Sequence, residues 1–160
     1  MTTTLFLHGL DSSSQGTKGR YFNTHFPDVL SPDFNGDLEQ RLIQLEKVCC
    51  DFEKVILIGS SFGGLMATCF AILHPSRVVK LILLAPALNF EDYHPPATMI
   101  ASPTLLVMGA QDSVCPPEIV VPLADATFSN LKTQIFADDH LLRKVFPEMD
   151  WHKLLGGAGN

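Results

Sequence analysis

The sequence predicts an α/β protein, a mostly parallel sheet with helices on both faces. Three observations carry that expectation. Segments of β type, at 3–7, 55–58, 78–84, 104–108 and 132–136, alternate with segments of helical periodicity, and such alternation builds parallel sheets. Val78 to Leu84 is apolar at every position but Lys80, the pattern of a strand covered on both faces. No repeat, low-complexity segment or linker breaks the alternation, so residues 1–160 are expected to form a single domain.

In chain order, the first strand, 3–7, gives way to a polar loop at His8-Gly9-Leu10-Asp11-Ser12-Ser13-Ser14. A helix follows over about 17–25, then a short strand candidate at 28–30, closed by turn signals at Ser31-Pro32-Asp33 and Asn35-Gly36. Asp37 has the side chain to cap a helix reaching about Cys50, with Leu38, Leu42, Leu45 and Cys49 on one face. Strand 55–58 leads into a small-residue helix ending near His74-Pro75. After strand 78–84 comes a loop, 86–102, with Tyr93-His94-Pro95-Pro96 in its middle. Strand 104–108, a helix over 118–126 and strand 132–136 complete the sheet. A terminal helix is expected over 141–155, bent at Pro147, and the tail from Gly156 should fray.

Composition narrows the function classes. Apolar residues make up 46% of the chain and charged residues 18%, ordinary for a globular protein with a substantial core. The net charge is −6, and the basic residues form no stripe with aromatic platforms, which argues against nucleic acid as a partner. No apolar run reaches membrane-spanning length, and MTTTLFLHG lacks the features of a signal peptide. The cysteines at 49, 50, 69 and 115 have no zinc-ligand or Cys-x-x-Cys spacing. They read as free thiols, and a cytoplasmic location is expected.

The stretch with most chemical content is Lys54 to Gly64, KVILIGSSFGG. Gly59-x-Ser61-x-Gly63 lies between a predicted strand and a predicted helix, the context of a nucleophile elbow. A serine on so sharp a turn needs neighbours without bulk, which glycines at 59 and 63 supply. The helix that follows aims its amides and positive dipole end at the place where an oxyanion would form. A serine hydroxyl needs a base, usually a neutral histidine, and the histidine needs a carboxylate to fix its tautomer. Gly109-Ala110-Gln111-Asp112 and Asp138-Asp139-His140 leave later strand ends and supply these types in the order Ser61, Asp112, His140. Asp138 and Asp139 also qualify as the acid, although their closeness to His140 in sequence makes its ring awkward to reach.

With these motifs the chain resembles a small α/β-hydrolase, particularly short bacterial esterases that open with a strand and His-Gly-x-x-Ser-Ser. The resemblance runs from Thr3 to about Leu155. It implies Ser61 as nucleophile in GSSFGG, Asp112 as triad acid in VMGAQDSVCP and His140 as base in ADDH. It implies the backbone amides of Leu10 and Phe62 as an oxyanion hole, with His8, Gly9, Gly59 and Gly63 as supporting positions. The antiparallel strand pair that opens larger members is missing, so about six strands are expected, and Ala87 to Ser102 is too short for a helical cap, so no cap domain is expected.

Other candidates fare less well. Ser60 precedes the elbow position, and His25, His74 and His152 fall on or beside predicted helices. His94 is retained as a possible substrate contact. Cys115 reads as a buried small residue rather than a thiol nucleophile. Gly16-Thr17-Lys18 lacks the Gly-Lys-Ser/Thr ending of a phosphate loop. The function expected is a serine esterase acting on small or short-acyl substrates, with no metal or organic cofactor. Thioester or lactone hydrolysis by the same groups, and a binding protein of this fold, are the alternatives. Phe90, Tyr93, Met99 and Ile100 of the 86–102 loop are expected to offer apolar walls beside a shallow site.

Overall fold

The computed structural model describes residues 1–156. Five parallel strands lie side by side in chain order: β1 (Thr2–Leu7), β2 (Lys54–Ser60), β3 (Val78–Leu84), β4 (Thr104–Gly109) and β5 (Leu131–Phe136). Register follows from alternation. Leu5, Leu57 and Leu81 stand opposite one another and point to one face, while Phe6, Ile58 and Ile82 point to the other. Both sets are fully or almost fully buried, which is why these strands are apolar at successive positions.

On the first face lie α2 (Leu38–Val48), α3 (Phe62–Leu73) and α4 (Pro117–Thr127), contributing Leu45, Leu65, Phe70 and Val120 to the core. A reciprocal capping box starts α2, in which the Gln40 amide donates to Asp37 Oδ1 and the Asp37 amide to Gln40 Oε1, each at 2.9 Å. On the second face, α1 (Thr17–His25) and α5 (Trp151–Gly156) pack through aromatic side chains. The Phe22 ring meets Trp151 edge-on at 4.9 Å and Phe146 at 5.6 Å. No described helix is long and apolar enough to cross a membrane.

Two expectations need correction. The sixth strand shrinks to a single bridge at Leu30, which donates to the Thr4 carbonyl at 2.9 Å and accepts from the Phe6 amide at 2.8 Å. Pro27 and Pro32 flank it and have no N–H to extend the ladder. The terminal helix expected over 141–155 is also cut down to α5, Trp151–Gly156. Leu142 takes a left-handed φ of 52°, and the buried Asp138 carboxylate accepts the amides of Lys144 and Val145, folding 138–145 into a turn. A short 3-10 turn, Phe146–Glu148, then precedes α5. Residues 157–160, most of the tail expected to fray, lie outside the described residues.

The bridge at Leu30 settles the path of the chain. From β1 it runs outward across α1 to Leu30, then returns over α2 to β2 on the other side of β1. Because α1 and α3 cover opposite faces, the loops leaving β1 and β2 part, and a crevice opens at their carboxyl ends. Residues 86–102 carry no helix, so no cap covers that crevice from this segment.

Candidate active site

Ser61 sits between β2 and α3 with φ 54° and ψ −115°, a left-handed conformation that costs a non-glycine residue about 1–3 kcal/mol. The surroundings hold it there. Its amide donates to the Leu84 carbonyl at 2.9 Å, and its carbonyl accepts from Gly64 and Ala87, both at 2.9 Å. The turn is tight enough that a Cβ on Gly63 would lie 2.0 Å from the Leu7 carbonyl oxygen, and one on Gly59 2.4 Å from that of Gly63. Glycines at 59 and 63 therefore serve close backbone approach.

Ser61 Oγ lies 2.9 Å from His140 Nε2, and His140 Nδ1 lies 2.8 Å from Asp112 Oδ2. The second Asp112 oxygen accepts the amides of Val114 and Cys115 at 2.9 and 2.8 Å. With Asp112 as acceptor, Nδ1 carries the imidazole proton and Nε2 is free to accept from the serine hydroxyl. The Asp112 side chain is fully buried, whereas the His140 ring is partly open to the crevice.

Asp138 and Asp139 are turn-builders instead. Burial opposes ionisation of Asp138, but the amides of Val145, Asp139 and Lys144 outweigh it and hold its carboxyl below the ordinary value. Asp139 accepts from the Leu141 amide at 3.1 Å. Neither carboxylate bonds the His140 ring.

His8 is buried, and its Nε2 accepts the Phe34 amide at 2.9 Å. That leaves Nδ1 protonated, donating to the Gly9 carbonyl at 2.7 Å. The Gly9 carbonyl and the Leu10 amide belong to one trans peptide, so holding the carbonyl toward His8 turns the Leu10 N–H the other way. Gly9 lies alongside the elbow, where an added Cβ would sit 3.6 Å from Ser61 Cβ. Among the described residues neither the Leu10 nor the Phe62 amide has an acceptor.

A cavity of about 760 Å³ opens over Ser61 and His140. Of the four expected wall residues only Phe90 lines it, joined by Ala87 and Asn89. Tyr93 turns inward and its hydroxyl bonds Thr127, Ile100 pairs with Phe128, and Met99 is exposed elsewhere. His94 is exposed and does not line the cavity. The shallow site is corrected too, because α1 and the 140–147 segment raise a second wall through Lys18, Tyr21, Leu142 and Phe146.

Sequence reasoning missed Arg41. Only 4% exposed on α2, it donates through Nε to the Gly36 carbonyl at 2.9 Å and through Nη2 to the Leu10 carbonyl at 3.3 Å. Its guanidinium lies 5.4 Å from the Phe62 ring centre, and Nη1 is buried without a partner. Both residues whose amides are free beside Ser61 therefore touch one cation. The only sequence signal was an arginine on a helix whose other inward residues are apolar.

Cys115 is buried beside Asp112 and His140. Burial pushes its thiol up to about 12, the Asp112 charge adds to the rise, and a hydrogen bond with Ser61 opposes it. Ligand atoms of Asp112, Cys115 and His140 lie within 4.8 Å of one another, near enough for a metal ion. Such an ion would have to displace the Asp112–His140 hydrogen bond and a thiol proton held well above neutral pH.

The sequence profile of the alpha/beta hydrolase fold matches residues 32–99. Solved structures match almost the whole chain. Alpha/beta hydrolase domain-containing protein 10 from mouse superposes with a TM-score of 0.75 at 17% identity, covering 98% of this chain and 88% of that one. An esterase from Pyrococcus furiosus gives 0.72 at 17%, covering 98% and 80%. An alpha/beta hydrolase enzyme from lagoon sediments of Mar Chica, Morocco, gives 0.75 at 20%, covering 98% and 90%. The chain thus has the α/β-hydrolase fold. Homoserine O-acetyltransferases of two Thermus thermophilus strains are 39% identical to it over 67 residues, 42% of this chain. That segment spans only 16% of those relatives.

Proposed function

We propose that the protein is a serine hydrolase that cleaves carboxylic esters of small molecules through an acyl-enzyme on Ser61. The observation that carries this reading is the unbroken hydrogen-bond chain from Ser61 Oγ through His140 to Asp112, opening into a cavity of about 760 Å³. His140 Nε2 takes the hydroxyl proton as Ser61 Oγ attacks the ester carbonyl, and Asp112 stabilises the imidazolium. The carbonyl oxygen gains negative charge and is met by the free amides of Leu10 and Phe62. His140 then protonates the leaving alkoxide, the acyl group stays on Ser61, and water activated by the same ring releases it. Thioesters and lactones would be cleaved by the same steps. Four free cysteines, two of them buried, fit a reducing compartment, and we place the protein in the cytoplasm.

The test is labelling of the purified protein with a fluorophosphonate, together with turnover of p-nitrophenyl acetate. Both are expected in the wild type and neither in Ser61→Ala. A folded wild type that takes no label and turns over no ester would leave the fold as a binding scaffold.

A further inference from the structure

Cations on one wall of the cavity are left without a use by the chemistry above. Lys18, in the first turn of α1, and Arg143, three residues after His140, both line the cavity that holds Ser61. Among the described residues no carboxylate lies within ion-pair distance of either. Lys18 is half-buried. Its Nζ donates to the Leu141 carbonyl at 2.7 Å and lies 5.4 Å from the Phe146 ring centre. One carbonyl uses one of three ammonium protons, so two donors remain.

Withdrawing an ammonium group from water without a counter-ion is unfavourable. Burial pulls the Lys18 pKa below its ordinary value, and the nearby Arg143 charge adds to the fall. Asp138 and Asp139 oppose that shift, yet their oxygens already accept amides of the 138–145 turn. Asp11 also lines the cavity, beside Leu10, where it lies in the field of Arg41. In a chain of net charge −6, two unpaired cations in a cavity with a reactive serine form a local exception.

We propose that this wall binds an anionic group, a carboxylate or phosphate, on the leaving-group side of the ester. This rests on the hydrolase reading and adds the substrate class. The side follows from the proton transfer. His140 delivers its proton to the leaving-group oxygen, so whatever is attached there extends past His140 toward the wall built by Leu141, Arg143 and Lys18. Tyr21 and Phe146 in the same wall flank an aromatic or aliphatic body between ester and anion.

The probe is 4-acetoxybenzoate set against its neutral amide, 4-acetoxybenzamide, with each rate divided by that for alkaline hydrolysis. The expected wild-type ratio of kcat/KM favours the carboxylate by about tenfold or more, the scale of one charge-assisted hydrogen bond. In Lys18→Met the ratio falls to near one, while Lys18→Arg keeps most of it. Arg143→Gln lowers it in the same direction, and added salt shrinks the wild-type ratio. Arg143 has no side-chain hydrogen bond among the described residues, so that variant guards against loss of folding in Lys18→Met. A wild-type ratio at or below one, or a ratio that neither substitution moves, overturns the anion site and leaves the Ser61 mechanism standing. Turnover of both esters that survives Ser61→Ala brings down the Ser61 mechanism, and this inference with it.

Discussion

His140 has one carboxylate on its Nδ1 side and one hydroxyl on its Nε2 side, which makes the acid assignment testable by single atoms. Asp112→Asn keeps the shape but offers an amide N–H or a weaker acceptor to Nδ1, and kcat on p-nitrophenyl acetate should fall by roughly three to four orders of magnitude. Ser61→Ala and His140→Ala should lose roughly four to six orders. Asp138→Asn and Asp139→Asn should stay within about tenfold, because neither oxygen pair reaches the ring. A severe Asp139→Asn beside a silent Asp112→Asn would reverse the roles. Arg41 offers a subtler residue-scale test. Arg41→Met frees the Leu10 carbonyl, so the adjoining peptide drifts and kcat should drop by about ten- to a hundredfold, less than removal of a whole oxyanion donor. KM should change little, and Arg41→Lys should restore only part of the loss, since an ammonium cannot reproduce the fork. The hydrogen-bonded grouping of Ser61, Asp112 and His140 was legible in sequence because each sits in a short local pattern at a strand end. Arg41 was not, because its contact with the Leu10 carbonyl depends on the packing of α2 against the loop after β1, thirty-one residues away in sequence.

At the scale of elements, β2 to β4 were readable because burial on both faces imposes long apolar runs, whereas β5, mostly exposed at the sheet edge, and α1 to α4 were readable from β-type and helical patterning punctuated by small polar residues. The reading failed where a side chain overrides local propensity. Leu141-Leu142-Arg143-Lys144-Val145 would suit a helix, but Asp138 takes the amides of Lys144 and Val145 and folds the segment back. The same carboxylate gives a pH prediction with a definite sign. Its folded pKa lies below the ordinary 3.8, so the unfolded chain binds the proton more readily. The stabilisation is present above the unfolded value and is lost as pH falls through the folded one. Asp138→Ala, which leaves buried amides unpaired, should lower stability by about 1–3 kcal/mol at neutral pH. The gap in Tm between variant and wild type should narrow below about pH 4. A gap that is constant down to pH 2 would mean that the charge contributes nothing to the turn.

For the whole molecule, the path of the chain makes the cavity lopsided. On the α1 side it is walled by Tyr21, Leu142 and Phe146, the last two buried. On the other side stand Ala87, Asn89, Phe90 and Val114, where Val114 is 58% exposed and an Asn89 side chain donating to the Val114 carbonyl at 3.0 Å ties two loops together. If the leaving group takes the walled side, the acyl chain lies along the open one. A methylene gains about 0.8 kcal/mol only when fully buried, and few acyl carbons can be buried against this rim. Across p-nitrophenyl esters kcat/KM should therefore peak at short chains, about two to six carbons, and decline beyond them. No rate jump should accompany the onset of micelles, because residues 86–102 contain no helix to swing aside. A steady rise through twelve carbons, or a jump at the micelle threshold, would mean that the loop closes over Ser61 and that the open rim is not the working state of the acyl side.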